Sequence, residues 1–128
     1  MFKIGVLVSG GGSNLQSIID KSQSRELQCK VEVVIGDREC YGVERAKEAG
    51  IDGYTLDRKV LKKELCREID KIVSERGIDL IVLAGFLSII DEEFVNKWKG
   101  RIINIHPSLL PKFGGPGMYG IRVHEAVL

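Results

Sequence analysis

An amide and an imidazole stand two residues apart in the run Ile102-Ile103-Asn104-Ile105-His106-Pro107-Ser108-Leu109-Leu110-Pro111. On an extended strand, Asn104 and His106 leave the same face. The β-branched residues around them suit a pleated interior position, and Pro107 cannot donate to a ladder, so the strand breaks at His106. A hydrogen-bond donor beside a titratable ring at the end of a buried strand is what polarising a carbonyl requires. The plainer reading is a capping Asn and a satisfied core His. The shared face and the stiff Pro-Ser-Leu-Leu-Pro loop that follows favour chemistry.

Two further stretches carry chemical potential. Gly10-Gly11-Gly12-Ser13-Asn14 follows an apolar run and precedes a helical pattern. Such a turn directs backbone amides at an anion above a helix N-terminus, and Ser13 and Asn14 add side-chain donors. No Lys-Ser/Thr follows, so it is not a Walker A loop, and the third glycine of a dinucleotide fingerprint is replaced by Leu15. Asp37 ends the second apolar run and could serve a ribose, so a dinucleotide site stays open at this level. A tight turn that merely needs glycine is the structural alternative. The third stretch, Leu83-Ala84-Gly85-Phe86-Leu87-Ser88-Ile89-Ile90, is mostly apolar. It suits a flat ligand whose polar edge is read by backbone groups, although core packing alone would also account for it.

Strands and helices alternate around these stretches. Near-continuous apolar runs at residues 2–9, 31–36, 79–85 and 102–106 read as strands covered on both faces, with a weaker strand at 51–56. Helical spacing follows at 15–20, 43–49 and 91–98, and one long amphipathic helix is expected from about Val60 to Glu75. The expected fold class is α/β, a doubly wound and mainly parallel sheet in one domain spanning residues 1–128. In such sheets ligands bind beyond the carboxyl ends of the strands, where all three loaded stretches fall. Residues 121–128 look like the first turns of an unfinished helix, so the chain is expected to lack the C-terminal part of its fold.

Composition narrows the function classes. Of the 128 residues 44% are hydrophobic and 29% charged, which fits a globular chain rather than a disordered one. Net charge is +1 with signs interspersed, so neither nucleic acid nor a membrane surface is expected as a partner. No apolar run approaches a membrane span, and the short N-terminal run meets glycines rather than a cleavage site. Cys29, Cys40 and Cys66 show no CxxC spacing and read as reduced packing thiols of the cytoplasm, with no metal expected. His124, Lys59, Lys62 and Lys63 read as solvated surface. Nothing in the sequence speaks to oligomeric state.

The glycine turn with Ser13-Asn14, the Leu83-Ala84-Gly85-Phe86 strand end and Asn104-Ile105-His106-Pro107-Ser108-Leu109-Leu110-Pro111 together resemble the folate-dependent formyltransferases. The resemblance runs from Phe2 to about Lys112 and implies a formyltransferase-like, Rossmann-type fold. It implies transfer of a formyl group from 10-formyltetrahydrofolate to an amine. The glycine turn singles out members that act on 5′-phosphoribosylglycinamide in de novo purine biosynthesis. Gly12, Ser13 and Asn14 would hold the ribose phosphate, with Pro107 beside the substrate. Leu87, Ser88, Ile89, Ile90 and Asn104 would line the pterin site. His106 would be the catalytic histidine, and Asn104 with His106 would stabilise the oxyanion.

Ser88 stands where many members of that family carry arginine, and Lys62 or Lys63 could reach the folate tail. The family's catalytic aspartate is expected in a loop beyond residue 128, so this chain alone is expected to bind weakly and turn over slowly or not at all. Two alternatives remain: a relative acting on methionyl-tRNA, which would want a basic face, and a non-catalytic nucleotide-binding module with a structural His106.

Overall fold

The computed structural model describes residues 2–105. Five parallel strands, β1 (Phe2–Val8), β2 (Cys29–Gly36), β3 (Asp52–Thr55), β4 (Leu80–Ala84) and β5 (Ile102–Ile105), lie in the order β3-β2-β1-β4-β5. Helices α1 (Ser13–Gln23) and α2 (Tyr41–Glu48) cover one face. Helices α4 (Leu65–Glu75) and α5 (Glu92–Lys97) cover the other, and α3 (Arg58–Leu61) is a single turn after β3.

The two-sided burial follows from alternation along the central strands. Ile4, Val6 and Val8 of β1 pack with Leu15, Ile19, Val43 and Ala46 under α1 and α2. Leu7 points the other way, into a cluster with Leu65, Ile69, Val73, Phe94 and Trp98. In β4 the split repeats, with Val82 and Ala84 on the first face and Ile81 and Leu83 on the second. Near-continuous apolar runs are therefore needed, because every position of a central strand meets a helix layer. The β1–β2 register shifts between Ile4 and Gly5, which pair with Val31 and Val33, so Glu32 is the extra residue.

The strand order reverses between β1 and β4, so the crossover from β3 carries the chain past β1 to start the second half of the sheet. A crevice opens at such a switch point, beyond the carboxyl ends of β1 and β4.

The long helix expected over 60–75 is interrupted. Asp57 caps α3 by accepting from the Lys59 amide at 2.8 Å, and a 3-10 turn (Lys62–Glu64) precedes α4. Lys62 carries the break in the left-handed region at φ 48°. Leu61 and Leu65 are four apart, which is helical spacing whether or not the helix is continuous, so periodicity alone could not reveal it. The fifth strand ends at Ile105, and the remainder of its expected extent, with the loop and helix beyond, lies outside the described residues.

Candidate active site

The turn after β1 is shaped by backbone bonds to α2. The Gly42 amide donates to the Gly10 carbonyl at 2.9 Å, and Arg45 Nε donates to the Gly11 carbonyl at 2.6 Å. In a trans peptide the N–H points opposite to the C=O. With both carbonyls drawn toward α2, the amides of Gly11 and Gly12 face away from it, and neither has a partner among the described residues. Gly12 then caps the start of α1 at φ 76°, and a Cβ there would lie 2.7 Å from the Gly42 Cα, while a Cβ on Gly42 would lie 3.0 Å from Val8 Cγ2 and 3.1 Å from the Gly10 carbonyl oxygen. Arg45 is held in turn by Gln16 Oε1 at 3.2 Å and by the Tyr41 ring, 4.6 Å from its guanidinium carbon. Beyond Gly12, the first-turn amides of α1 include those of Ser13 and Asn14. Four donors thus converge on the helix N-terminus, an arrangement that suits a phosphate.

The stretch after β4 is held by side chains. Phe86 and Ile90 pack onto the core, while Leu87 and Ile89 are 71% and 88% exposed. Between them Ser88 donates its hydroxyl to Asp37 Oδ2. The Leu87 amide donates to Ser9 Oγ at 2.8 Å, and Ser9 in turn bonds Asp37. Asp37 is fully buried and also accepts from Arg38 Nε at 2.9 Å and Nη2 at 3.1 Å. Burial pushes its carboxyl up, but the bonds from Arg38, Ser88 and Ser9, with the Arg38 charge, outweigh that and hold it below the usual carboxylate range. At the far end of the stretch, buried Cys66 donates its thiol to the Ile89 carbonyl at 3.6 Å and accepts from the Asp91 amide at 3.5 Å. Burial pushes that thiol up.

A cleft of about 380 Å³ runs alongside, lined by Leu87, Ser88 and Ile89 on one wall and by Arg38, Arg58, Lys62 and Lys63 on another. Lys59, Lys62 and Lys63 are exposed, as expected of a solvated face, but Lys62 and Lys63 are also cleft walls. Arg58 Nε is buried with no partner among the described residues.

Asn104 lies on β5 opposite Leu83 of β4, one residue short of the strand's end. Its Oδ1 is buried and has no partner among the described residues. A buried unpaired polar atom costs about 1–3 kcal/mol, so native structures seldom keep one without a partner to meet it.

Sequence-predicted residues therefore gather at one edge. Gly12, Ser13 and Asn14 follow β1, Leu87, Ser88, Ile89 and Ile90 follow β4, and Asn104 is the penultimate residue of β5, on three adjacent strands. His106, Pro107 and His124 lie outside the described residues. The ribose role left open for Asp37 is removed, because its carboxylate is enclosed and satisfied by Arg38, Ser88 and Ser9. Sequence reasoning gave Ser9 and Arg45 no role, and Cys66 does more than pack. The one visible signal was the charge at Asp37, placed directly after a continuous apolar strand. Among the described residues no cluster of His, Cys, Asp and Glu could hold a metal ion, and no helix is long and apolar enough to cross a membrane.

Comparison with known proteins agrees with this layout. A formyl transferase family model matches residues 2–128. The phosphoribosylglycinamide formyltransferase of Escherichia coli K12 is 43% identical over 126 residues, covering 93% of this chain and 57% of that enzyme. The human trifunctional purine biosynthetic protein adenosine-3 is 40% identical over 129 residues, which cover 98% of this chain and 12% of that protein. The crystal structure of glycinamide ribonucleotide transformylase 1 from Symbiobacterium toebii superposes with a TM-score of 0.80 at 39% identity, covering 90% of this chain and 56% of that one. The chain spans little more than half the length of these single-function relatives. It belongs to the formyl transferase family.

Proposed function

We propose that the protein transfers a formyl group from 10-formyltetrahydrofolate to the amine of 5′-phosphoribosylglycinamide, a step of purine biosynthesis. The observation that carries the reading is the placement of the Asn104 amide near the end of β5, next to the stretches that follow β1 and β4. Support comes from what flanks it. The amides of Gly11, Gly12, Ser13 and Asn14 suit the ribose phosphate. The exposed Leu87 and Ile89 suit a flat pterin. The cationic wall of Arg38, Arg58, Lys62 and Lys63 suits the carboxylates of the folate tail.

In the reaction the glycinamide nitrogen attacks the formyl carbon, and a carbon–nitrogen bond forms as the carbonyl oxygen takes the electron pair. The Asn104 side-chain N–H and a protonated His106 meet that oxyanion as its charge develops. Collapse breaks the bond to N10 of the folate, which leaves with a proton relayed from the attacking amine by His106. Pro107 would stiffen the chain beside the substrate. Formylated ribonucleotide and tetrahydrofolate are the products, with no metal needed.

Titration of the protein with phosphoribosylglycinamide, with free glycinamide as control, tests the phosphate half of this reading. Saturable binding that requires the phosphate is expected. Asn104→Ala should lower kcat about a hundredfold while leaving ribonucleotide affinity nearly unchanged. A folded protein that binds neither ligand would refute the assignment.

A further inference from the structure

We propose that Asp37, three strands away from the Asn104 amide, is a positioning residue that fixes the folate-lining stretch 86–90 in its binding shape. The inference rests on the reading of Leu87, Ser88, Ile89 and Ile90 as that lining. Leu87 and Ile89 project outward with 71% and 88% exposure, so their own packing does little to hold the backbone that carries them. Phe86 and Ile90 anchor its ends in the core and Cys66 bonds the Ile89 carbonyl, while the residues between are tied by polar groups. Ser88 bonds Asp37 directly, and the Leu87 amide is tied to the same carboxylate through Ser9.

Asp37 is itself immobile. It follows β2, its amide donates to the Val8 carbonyl at 3.3 Å, and its carbonyl accepts from the Arg58 amide at 3.0 Å. Arg38 clamps the carboxylate by two nitrogens. One fully buried group thus joins the carboxyl ends of β1, β2 and β4. It also places Arg38 and Arg58 on the wall facing Leu87 and Ile89. An amide in its place would offer one acceptor oxygen and no charge, so it could not meet the bidentate guanidinium and the Ser88 hydroxyl together. The phosphate turn receives none of these bonds, being tied to Gly42 and Arg45 of α2. The effect is therefore confined to one ligand.

The test measures affinity for a reduced folate and for phosphoribosylglycinamide in the wild-type protein and in Asp37→Asn, with circular dichroism to verify folding. Folate binding should weaken roughly tenfold, as expected for loss of a charged hydrogen-bond partner, with ribonucleotide affinity within about twofold. In turnover, KM for the folate should rise more than kcat falls. Ser9→Ala cuts only the Leu87 branch and should weaken folate binding in the same direction by a smaller factor, which decides the matter if Asp37→Asn does not fold. Unchanged folate affinity in a folded variant, or an equal loss for both ligands, would overturn the inference. A wild-type protein that binds ribonucleotide but no folate would defeat the functional reading of 87–90 and this inference with it.

Discussion

The two ligand-facing stretches beyond β1 and β4 reach their shapes by opposite means. The turn at residues 10–14 is a backbone object, in which carbonyls are drawn to α2 and two glycines touch where no side chain fits. The stretch at 86–90 is a side-chain object, hung from a buried carboxylate by Ser88 and Ser9. A backbone device tolerates no change of residue size but is indifferent to pH. A carboxylate device is sensitive instead to loss of its charge, whether by substitution or by protonation. The two halves of the crevice should therefore respond to different perturbations.

The largest effect is expected at the turn. Gly12→Ala forces a Cβ within 2.7 Å of the Gly42 Cα at a residue already at φ 76°. Backbone must move, and strain of about 2–3 kcal/mol corresponds to roughly a hundredfold loss of ribonucleotide affinity. Calorimetry should find that loss with reduced-folate affinity unaltered. Equal losses for both ligands would mean that the two stretches are one mechanical unit. A milder version is Arg45→Ala, which releases the Gly11 carbonyl without steric conflict. About 1 kcal/mol is expected for the lost bond, or roughly fivefold in ribonucleotide affinity, again with folate untouched.

Acid should separate the halves in the other direction. Asp37 has a carboxyl held below its ordinary value in the folded protein, so the unfolded chain takes up a proton first as pH falls. Its stabilising contribution is fully present above about pH 4, the ordinary carboxylate value, and is lost as pH falls through the depressed folded value. Urea midpoints measured between neutral and strongly acidic pH should fall more for the wild type than for Asp37→Asn, whose side chain does not titrate. The protection of the Leu87 amide against hydrogen exchange, taken relative to the intrinsic rate at each pH, should fall on acidification before that of Gln16, whose amide bonds Gly12 within the other turn. The opposite order would reverse the contrast drawn here.

The same contrast explains what could be read without coordinates. Strand positions and two-sided burial followed from apolar runs such as 4–8 and 80–84, because a central parallel strand leaves no polar position. The glycine turn was legible since its residue types are its mechanism. The network around Asp37 was not. It joins residues 9, 37 and 88, whose proximity comes from the tertiary order of β1, β2 and β4 and has no local spacing rule. The charge of Asp37 was visible and pointed to a ribose, but enclosure by Ser9, Ser88 and Arg38 gives it a different use. The break at Lys62 was hidden for a related reason, as Leu61 and Leu65 serve the core from both sides of it.

Asp70 offers the smallest effect and the sharpest control. It too is a carboxylate hub, accepting from Lys97 Nζ at 2.7 Å, Trp98 Nε1 at 2.9 Å and Ser74 Oγ at 3.1 Å. Burial raises its carboxyl, and those bonds more than offset the rise, so it too sits below the ordinary range. Yet its partners lie on α4 and at the end of α5, and none belongs to either ligand-facing stretch. Asp70→Asn keeps an oxygen for Trp98 and loses only the charge facing half-exposed Lys97, a pair worth about 0–1 kcal/mol. Thermal unfolding should shift slightly, and affinity for both ligands should stay within about twofold of wild type. If Asp70→Asn weakened folate binding as much as Asp37→Asn does, the carboxylate at 37 would be acting through general stability rather than through its bond to Ser88. Only an effect confined to Asp37 leaves local placement of the 86–90 stretch as the cause.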